Sequence, residues 1–213
     1  IQRGTNRQAC FGDDDDMAAY AAWLDEYARK YAVAIHAWVF MTNHVHLLVT
    51  PSTPDGVSRM MQDIGREYVR YVNKTHQRSG TLWEGRFKSS LVDNDAYCMI
   101  CHQYIELNPV RAGMVDDPAD YFWSSYATYA LGQERSLHTP HALWLSLGSN
   151  THSRCEAYRA LFSASLPESI LQEIRYSNSK GLPFGSSFFK AQVESQLQIK
   201  LGTGKVGRPP KTA

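Results

Sequence analysis

Long hydrophobic runs are missing from this chain. No stretch approaches the roughly 20 apolar residues that a helix needs to cross a bilayer, and 43% hydrophobic against 20% charged residues is the balance of a soluble globular protein. Cysteine is scarce as well. Four residues (Cys10, Cys98, Cys101, Cys155) in 213 do not suggest a disulfide framework and make a reducing, cytoplasmic compartment the expectation. A secretory leader is also lacking, although the chain starts at Ile1 and not at methionine, which points to a lost native N-terminus and to a first strand of which only the end, Ile1-Gln2-Arg3-Gly4, is present.

Net charge is nearly absent too, at +1, but it is unevenly spread. Residues 56–90 carry seven basic side chains against three acidic, and residues 171–213 carry seven against two. Localised positive charge is what a polyanion finds, although each block alone is also compatible with a solvated helix face.

What is present is organised around Asn43-His44-Val45-His46-Leu47-Leu48. In a strand, positions i and i+2 point to one face, so His44 and His46 project side by side, at a metal-ligand spacing. The plainer alternative is two half-buried strand histidines with ordinary hydrogen bonds. Residues 34–40 read as the partner strand of a hairpin, with Met41-Thr42-Asn43 as its turn. If Phe40 opposes His44, then Ile35, Ala37 and Val39 share the core face with Val45, Leu47 and Val49, while His36 and Trp38 lie on the histidine face; His36 is then structural.

Asp13 to Asp16 precede apolar positions at Met17, Tyr20, Ala21, Leu24, Tyr27, Ala28 and Tyr31, the period of an amphipathic helix, and read as its cap. A second such helix carries Val57, Met60, Met61, Ile64, Tyr68, Tyr71 and Val72, with Arg59, Arg66, Arg70 and Lys74 mostly off the stripe. Residues 82–92 read as a loop entering another strand, and their alternation of Trp83, Arg86, Phe87 and Lys88 suits stacking on bases and holding phosphates. Asn94 or Asp95 caps a third helix, expected to run to Asn108, where Pro109 ends it. The first six elements make the split β-α-β pattern of an α+β fold: a ferredoxin-like antiparallel sheet with helices packed on one face. Short helices are expected at 153–162, 167–176 and 187–201, followed by a flexible basic tail. This divides the chain into a main domain at 1–131, a small, mainly helical C-terminal extension at 132–203, and the tail at 204–213.

The third helix supplies chemistry for the histidines. Tyr104 and Asn108 are four residues apart and stack on one helical face, so the Asn108 amide oxygen can be a third metal ligand with the Tyr104 phenol beside it. A nucleophile next to a Lewis acid suits attack on a phosphodiester, giving a phosphotyrosine link and a free hydroxyl on the departing strand.

Three runs carry a family resemblance: Asn43-His44-Val45-His46-Leu47-Leu48, Trp83-Glu84-Gly85-Arg86-Phe87-Lys88, and Tyr104-Ile105-Glu106-Leu107-Asn108-Pro109-Val110-Arg111-Ala112-Gly113-Met114-Val115. Over residues 1–131 the chain resembles the REP-associated tyrosine transposases, within the single-tyrosine HUH transposases of the IS200/IS605 type. The resemblance implies that His44 and His46 are metal ligands, that Asn108 is the third ligand and that Tyr104 is the nucleophile. It further implies a Mg²⁺ or Mn²⁺ cofactor, and cleavage and rejoining of single-stranded DNA near REP-type hairpins through a 5′-phosphotyrosine, in a bacterial, nucleoid-associated protein. Monomer and homodimer are both open. The candidate DNA contacts are Arg3, Arg7, Arg59, Arg66, Arg70, Trp83, Arg86, Lys88, Arg111, Lys205, Arg208 and Lys211.

Other readings compete. Cys98-Met99-Ile100-Cys101-His102 fits a haem-attachment pattern literally, but it lies inside the tyrosine helix, where buried small side chains and helix packing explain it better. Tyr97 is two turns before Tyr104 on the same helix and is the rival nucleophile. A non-catalytic DNA-binding module, suggested by the basic blocks and by Gly207-Arg208-Pro209, and a rolling-circle initiator or relaxase are the other function classes.

Overall fold

In the computed structural model of the chain, which describes residues 1–93, 95–134 and 137–201, the N-terminal strand β1 (Gln2–Arg3) leads to an acidic run that caps a helix. Asp13 Oδ1 accepts from the Asp16 amide at 2.9 Å and opens α1 (Asp14–Lys30), as expected of carboxylates at a positive helix end. The hairpin follows as β2 (Val33–Met41) and β3 (His44–Pro51), and α2 (Gly56–Thr75) returns over the sheet. Beyond it come α3 (Asp95–Glu106), α4 (Asn108–Arg111), α5 (Tyr126–Leu131), α6 (Ala142–Ser146), α7 (Thr151–Leu161), α8 (Glu168–Lys180) and α9 (Ser187–Leu197). Asp95 is the first residue of α3, while Asn94 and the tail from 204 fall outside the described residues.

The sheet is antiparallel with strand order β1-β3-β2, and the fold is α+β. Its hairpin register differs by one residue from the sequence expectation. Met41 pairs with His44, leaving only Thr42 and Asn43 in the turn. The tighter turn is held from outside: Thr42 O accepts from the Cys10 amide at 2.9 Å, and Asn43 O accepts from the Gly4 amide at 2.9 Å. A slip of one residue exchanges faces. Trp38 and Phe40 therefore join Val45 in the core beneath α1 and α2, while Ala37, Val39 and Met41 share the histidine face and pack against α3. Ile35 stays with Val45 because an irregularity between Ile35 and Ala37 absorbs His36 as an extra residue. The role foreseen for His36 holds, since its Nδ1 meets Thr139 O and its Nε2 meets Thr50 Oγ1, both at 2.9 Å.

The strand expected within residues 82–92 does not form; only single bridges, Gly4 with Trp83 and Val92 with Phe184, mark the segment. The Glu84 amide donates to Arg3 O and the Lys88 amide to Ile1 O, both at 2.8 Å. Four steps along this segment thus span two along β1, and Gly85, at φ +118, absorbs the surplus as a bulged loop. On its other side, β1 pairs only with His44 and Val45; farther along, the β3 edge borders a cavity of about 360 Å³ that also meets residues 87–93.

The tyrosine helix stops at Glu106, short of the expected Asn108. Leu107 breaks it, and Pro109 stands in the first turn of α4, where its missing N–H costs nothing. Cys98, Cys101 and His102 are helix packing: both thiols are buried, burial pushes Cys101 up to about 12, and the fully buried His102 ring lies against Tyr129 and Tyr158. The C-terminal helices are not peripheral to this helix. Leu171, Ile174 and Phe184 share one core with Cys101, Tyr104 and Ile105, and Tyr129, Trp144 and Tyr158 build another against Met99. No helix among the described residues is long and apolar enough to cross a membrane.

Candidate active site

Strand alternation places the two histidines on the α3 side of the sheet, with ring centroids 5.0 Å apart. The Tyr104 ring stands edge-on to His46 at 5.6 Å. Nδ1 of His44 is 2.6 Å from Asn43 Oδ1; with that nitrogen donating, the lone pair is fixed on Nε2, the usual way a neighbouring oxygen orients a metal-binding imidazole. Both rings are held neutral. Burial, aided by the positive Arg3, lowers His44 to about 4, and burial lowers His46 well below the ordinary histidine range. In an NMR titration of the metal-free protein the His44 ring should therefore titrate near pH 4, and a midpoint near 6.5 would show that it is not sequestered.

His44, His46, Tyr104 and Asn108 line one cavity of about 510 Å³. Helix continuity does not bring Tyr104 and Asn108 together, since α3 has ended before Asn108; the short α4 turn delivers the asparagine. No group of three His, Cys, Asp or Glu among the described residues is arranged to hold a metal ion. The Asn108 amide oxygen, which lines the same cavity as both imidazoles, has the chemistry of a third ligand.

Among the described residues the remaining walls are strongly basic: Arg3, Arg86, Lys88, Arg111 and Arg175 against Glu84. The Arg111 guanidinium lies over the Tyr104 ring, 4.5 Å from its centroid, and also donates to the Tyr104 carbonyl oxygen. Its Nη1 is buried and has no hydrogen-bond partner among the described residues. Tyr97, by contrast, packs edge-on to Phe184 at 5.1 Å and lines neither cavity.

Four of the candidate DNA contacts thus line the cavity: Arg3, Arg86, Lys88 and Arg111. Arg7 is exposed outside it. Arg59, Arg66 and Arg70 lie on α2, which packs on the other face of the sheet, and pair there with Asp55, Asp63 and Glu67. Trp83 is a core residue and not a base platform: it is 6% exposed and packed against Tyr20 and Tyr68. Trp83→Phe should lower stability by about 1 kcal/mol in urea unfolding and leave affinity for single-stranded DNA unchanged; a large loss of affinity in a folded variant would restore the stacking role. Lys205, Arg208 and Lys211 lie outside the described residues. Sequence reasoning missed Arg175, Asn178 and Ser179 of α8, which line the cavity; their only signal was the basic excess after residue 171.

The model of the IS200-like transposase family matches residues 1–108, which include both histidines, the tyrosine and the asparagine. No curated protein matches the chain. Among solved structures, a REP-associated tyrosine transposase bound to a REP hairpin has a similar fold, at a TM-score of 0.53 and 20% identity over 66% of this chain and 82% of that one. With the family's model matching half of the chain, and the fold agreeing, this protein belongs to the IS200-like transposase family.

Proposed function

We propose that the protein is a metal-dependent, single-strand DNA endonuclease and strand transferase that acts near hairpins of the REP type, with Tyr104 as nucleophile. The observation that carries this reading is the Tyr104 ring 5.6 Å from His46 in a cavity where five cationic side chains face one carboxylate. His44 and His46, with the Asn108 amide, would hold Mg²⁺ or Mn²⁺. Bound there, the ion supplies Lewis-acid polarisation of a phosphate oxygen.

The chain's own groups do the rest. Arg111 keeps the phenol in place by covering one face of its ring and binding its carbonyl. Arg3, Arg86, Lys88 and Arg111 attract the phosphodiester and offset charge as it builds on the phosphoryl oxygens. The Tyr104 oxygen bonds to phosphorus as the P–O3′ bond breaks. The phenol loses its proton, the departing 3′ oxygen gains one, and the 5′ phosphate remains on the tyrosine. Attack by a 3′ hydroxyl on that link reverses the chemistry and joins the strand to a new end. The hairpin-bound state of the structural neighbour supports a DNA partner of this kind.

Labelled single-stranded hairpin DNA incubated with the protein and Mn²⁺ should form a covalent adduct that maps to Tyr104 by peptide mass spectrometry and does not form when EDTA is present from the start. Rejoining of two cut ends would distinguish strand transfer from nicking alone. An adduct that forms in EDTA would remove the metal from the reading, and its absence across hairpin substrates would remove the reading itself.

A further inference from the structure

Helix α8 begins 60 residues after the family match ends, yet it forms a wall of the candidate active site. Two faces of the helix explain how. Leu171 and Ile174 are buried in the same core as Tyr104 and Ile105, which fixes α8 against the tyrosine helix. Arg175, Asn178 and Ser179, at i, i+3 and i+4, form an adjoining polar stripe that lines the cavity with His44, His46 and Tyr104. Asn178 also lines the neighbouring cavity, which shares His46, Lys88 and Tyr104, so it stands where the two meet.

A guanidinium, a carboxamide and a hydroxyl lie on one helical face; the Ser179 hydroxyl donates to the Tyr176 carbonyl at 2.8 Å within the helix and keeps its lone pairs and rotational freedom toward the cavity. Arg175 is held by Glu168 at 3.1 Å, but both side chains are more than half exposed, and such a pair exchanges readily for a phosphate. Arg175 and Arg111 line the same cavity, where the Glu168 carboxylate partly offsets their charge. Two cations on one cavity are relieved by an anion between them.

We propose that Arg175, Asn178 and Ser179 form a phosphate clamp on the single-stranded DNA, gripping a backbone phosphate next to the one that Tyr104 attacks. The C-terminal extension thereby completes the binding site of the transposase domain. This inference rests on the proposed function and assigns part of the substrate grip to a helix outside the family match. Glu168 acts as the stand-in anion when DNA is absent.

The experiment measures the affinity of a fluorescein-labelled oligothymidylate across a salt series, in full-length proteins that all carry Tyr104→Phe so that no cleavage intervenes, with adduct formation by the Tyr104 protein on hairpin DNA recorded in parallel. Adding Arg175→Gln should weaken binding about tenfold and reduce the slope of log K against log salt by about 0.7, the loss of one phosphate contact on a single strand. Glu168→Gln should tighten binding. Arg29→Gln, on α1 across the sheet and paired with Asp25, should change neither. Unchanged affinity and slope in Arg175→Gln, with the adduct still formed by the Tyr104 protein, would overturn the clamp and leave the proposed function standing. A reduced slope without any adduct would support the clamp and remove the chemistry, and absence of binding by every protein would remove both. If Arg175→Gln unfolds, Ser179→Ala and Asn178→Ala, which keep the guanidinium, should each weaken binding severalfold with the slope unchanged; wild-type affinity in both would overturn the clamp.

Discussion

Tyr104→Phe should eliminate the covalent protein–DNA adduct, with cleavage falling at least about a thousandfold, while affinity for single-stranded DNA stays at the wild-type level. The substitution removes one oxygen and little else. The phenylalanine ring keeps the edge contact with His46 and the face contact with Arg111, so the walls of the cavity stay where they are. The rival is decided by the same assay. Tyr97 lies on the same helix, about 10 Å nearer its start, where its ring packs against Phe184 outside both cavities. Tyr97→Phe should cleave normally. Adduct retained in Tyr104→Phe and lost in Tyr97→Phe would overturn the assignment.

The parts of this site that were legible in the sequence are those set by local geometry. Alternation put His44 and His46 on one face, and acidic residues ahead of an apolar stripe marked the start of α1. Errors arose where the deciding partner is distant in sequence. The hairpin register depended on Gly4 and Cys10 holding the turn, and the one-residue difference exchanged Val39 for Trp38 on the histidine face. Trp83 reads as a stacking residue beside Arg86 because nothing local reveals that Tyr20 and Tyr68 enclose it. The α2 arginines drew attention as a charge block, yet carboxylates at i−4 or i−3 hold each of them on the face away from the site. Arg175 was the reverse case: an ordinary exposed residue by pattern, carried into the cavity by the burial of Leu171 and Ile174.

Glu106 should make the fold lose stability as pH rises from about 4.5 to 8. It lies two residues after Tyr104, fully buried, with Oε2 taking the Tyr158 hydroxyl at 2.7 Å and Oε1 taking that of Ser125. Burial raises its carboxyl to about 8, outweighing the two hydrogen bonds that favour ionisation. The folded chain therefore holds this proton up to about pH 8, whereas the unfolded chain releases it near 4.5. Its stabilisation is complete below pH 4.5, declines as pH rises through the window, and is gone above about 8; the total is on the order of 4 kcal/mol. The neutral amide of Glu106→Gln does not titrate. Subtracting its urea-unfolding free energies from those of the wild type isolates the carboxyl from His44 and His46, which titrate toward the acid side, and the difference should fall steadily from pH 5 to 8. Parallel curves would mean that the carboxyl is ionised in the fold. Glu106→Ala removes the hydrogen bonds and leaves two buried hydroxyls without their partner, at a cost of about 3 kcal/mol. The same substitution should slow cleavage in protein that remains folded, because Ser125 also receives the Trp38 amide at 3.0 Å. Glu106 thus ties the tyrosine helix to β2, the strand paired with the one that carries the histidines, and a helix released from that tie no longer holds the Tyr104 oxygen at a fixed distance from His46.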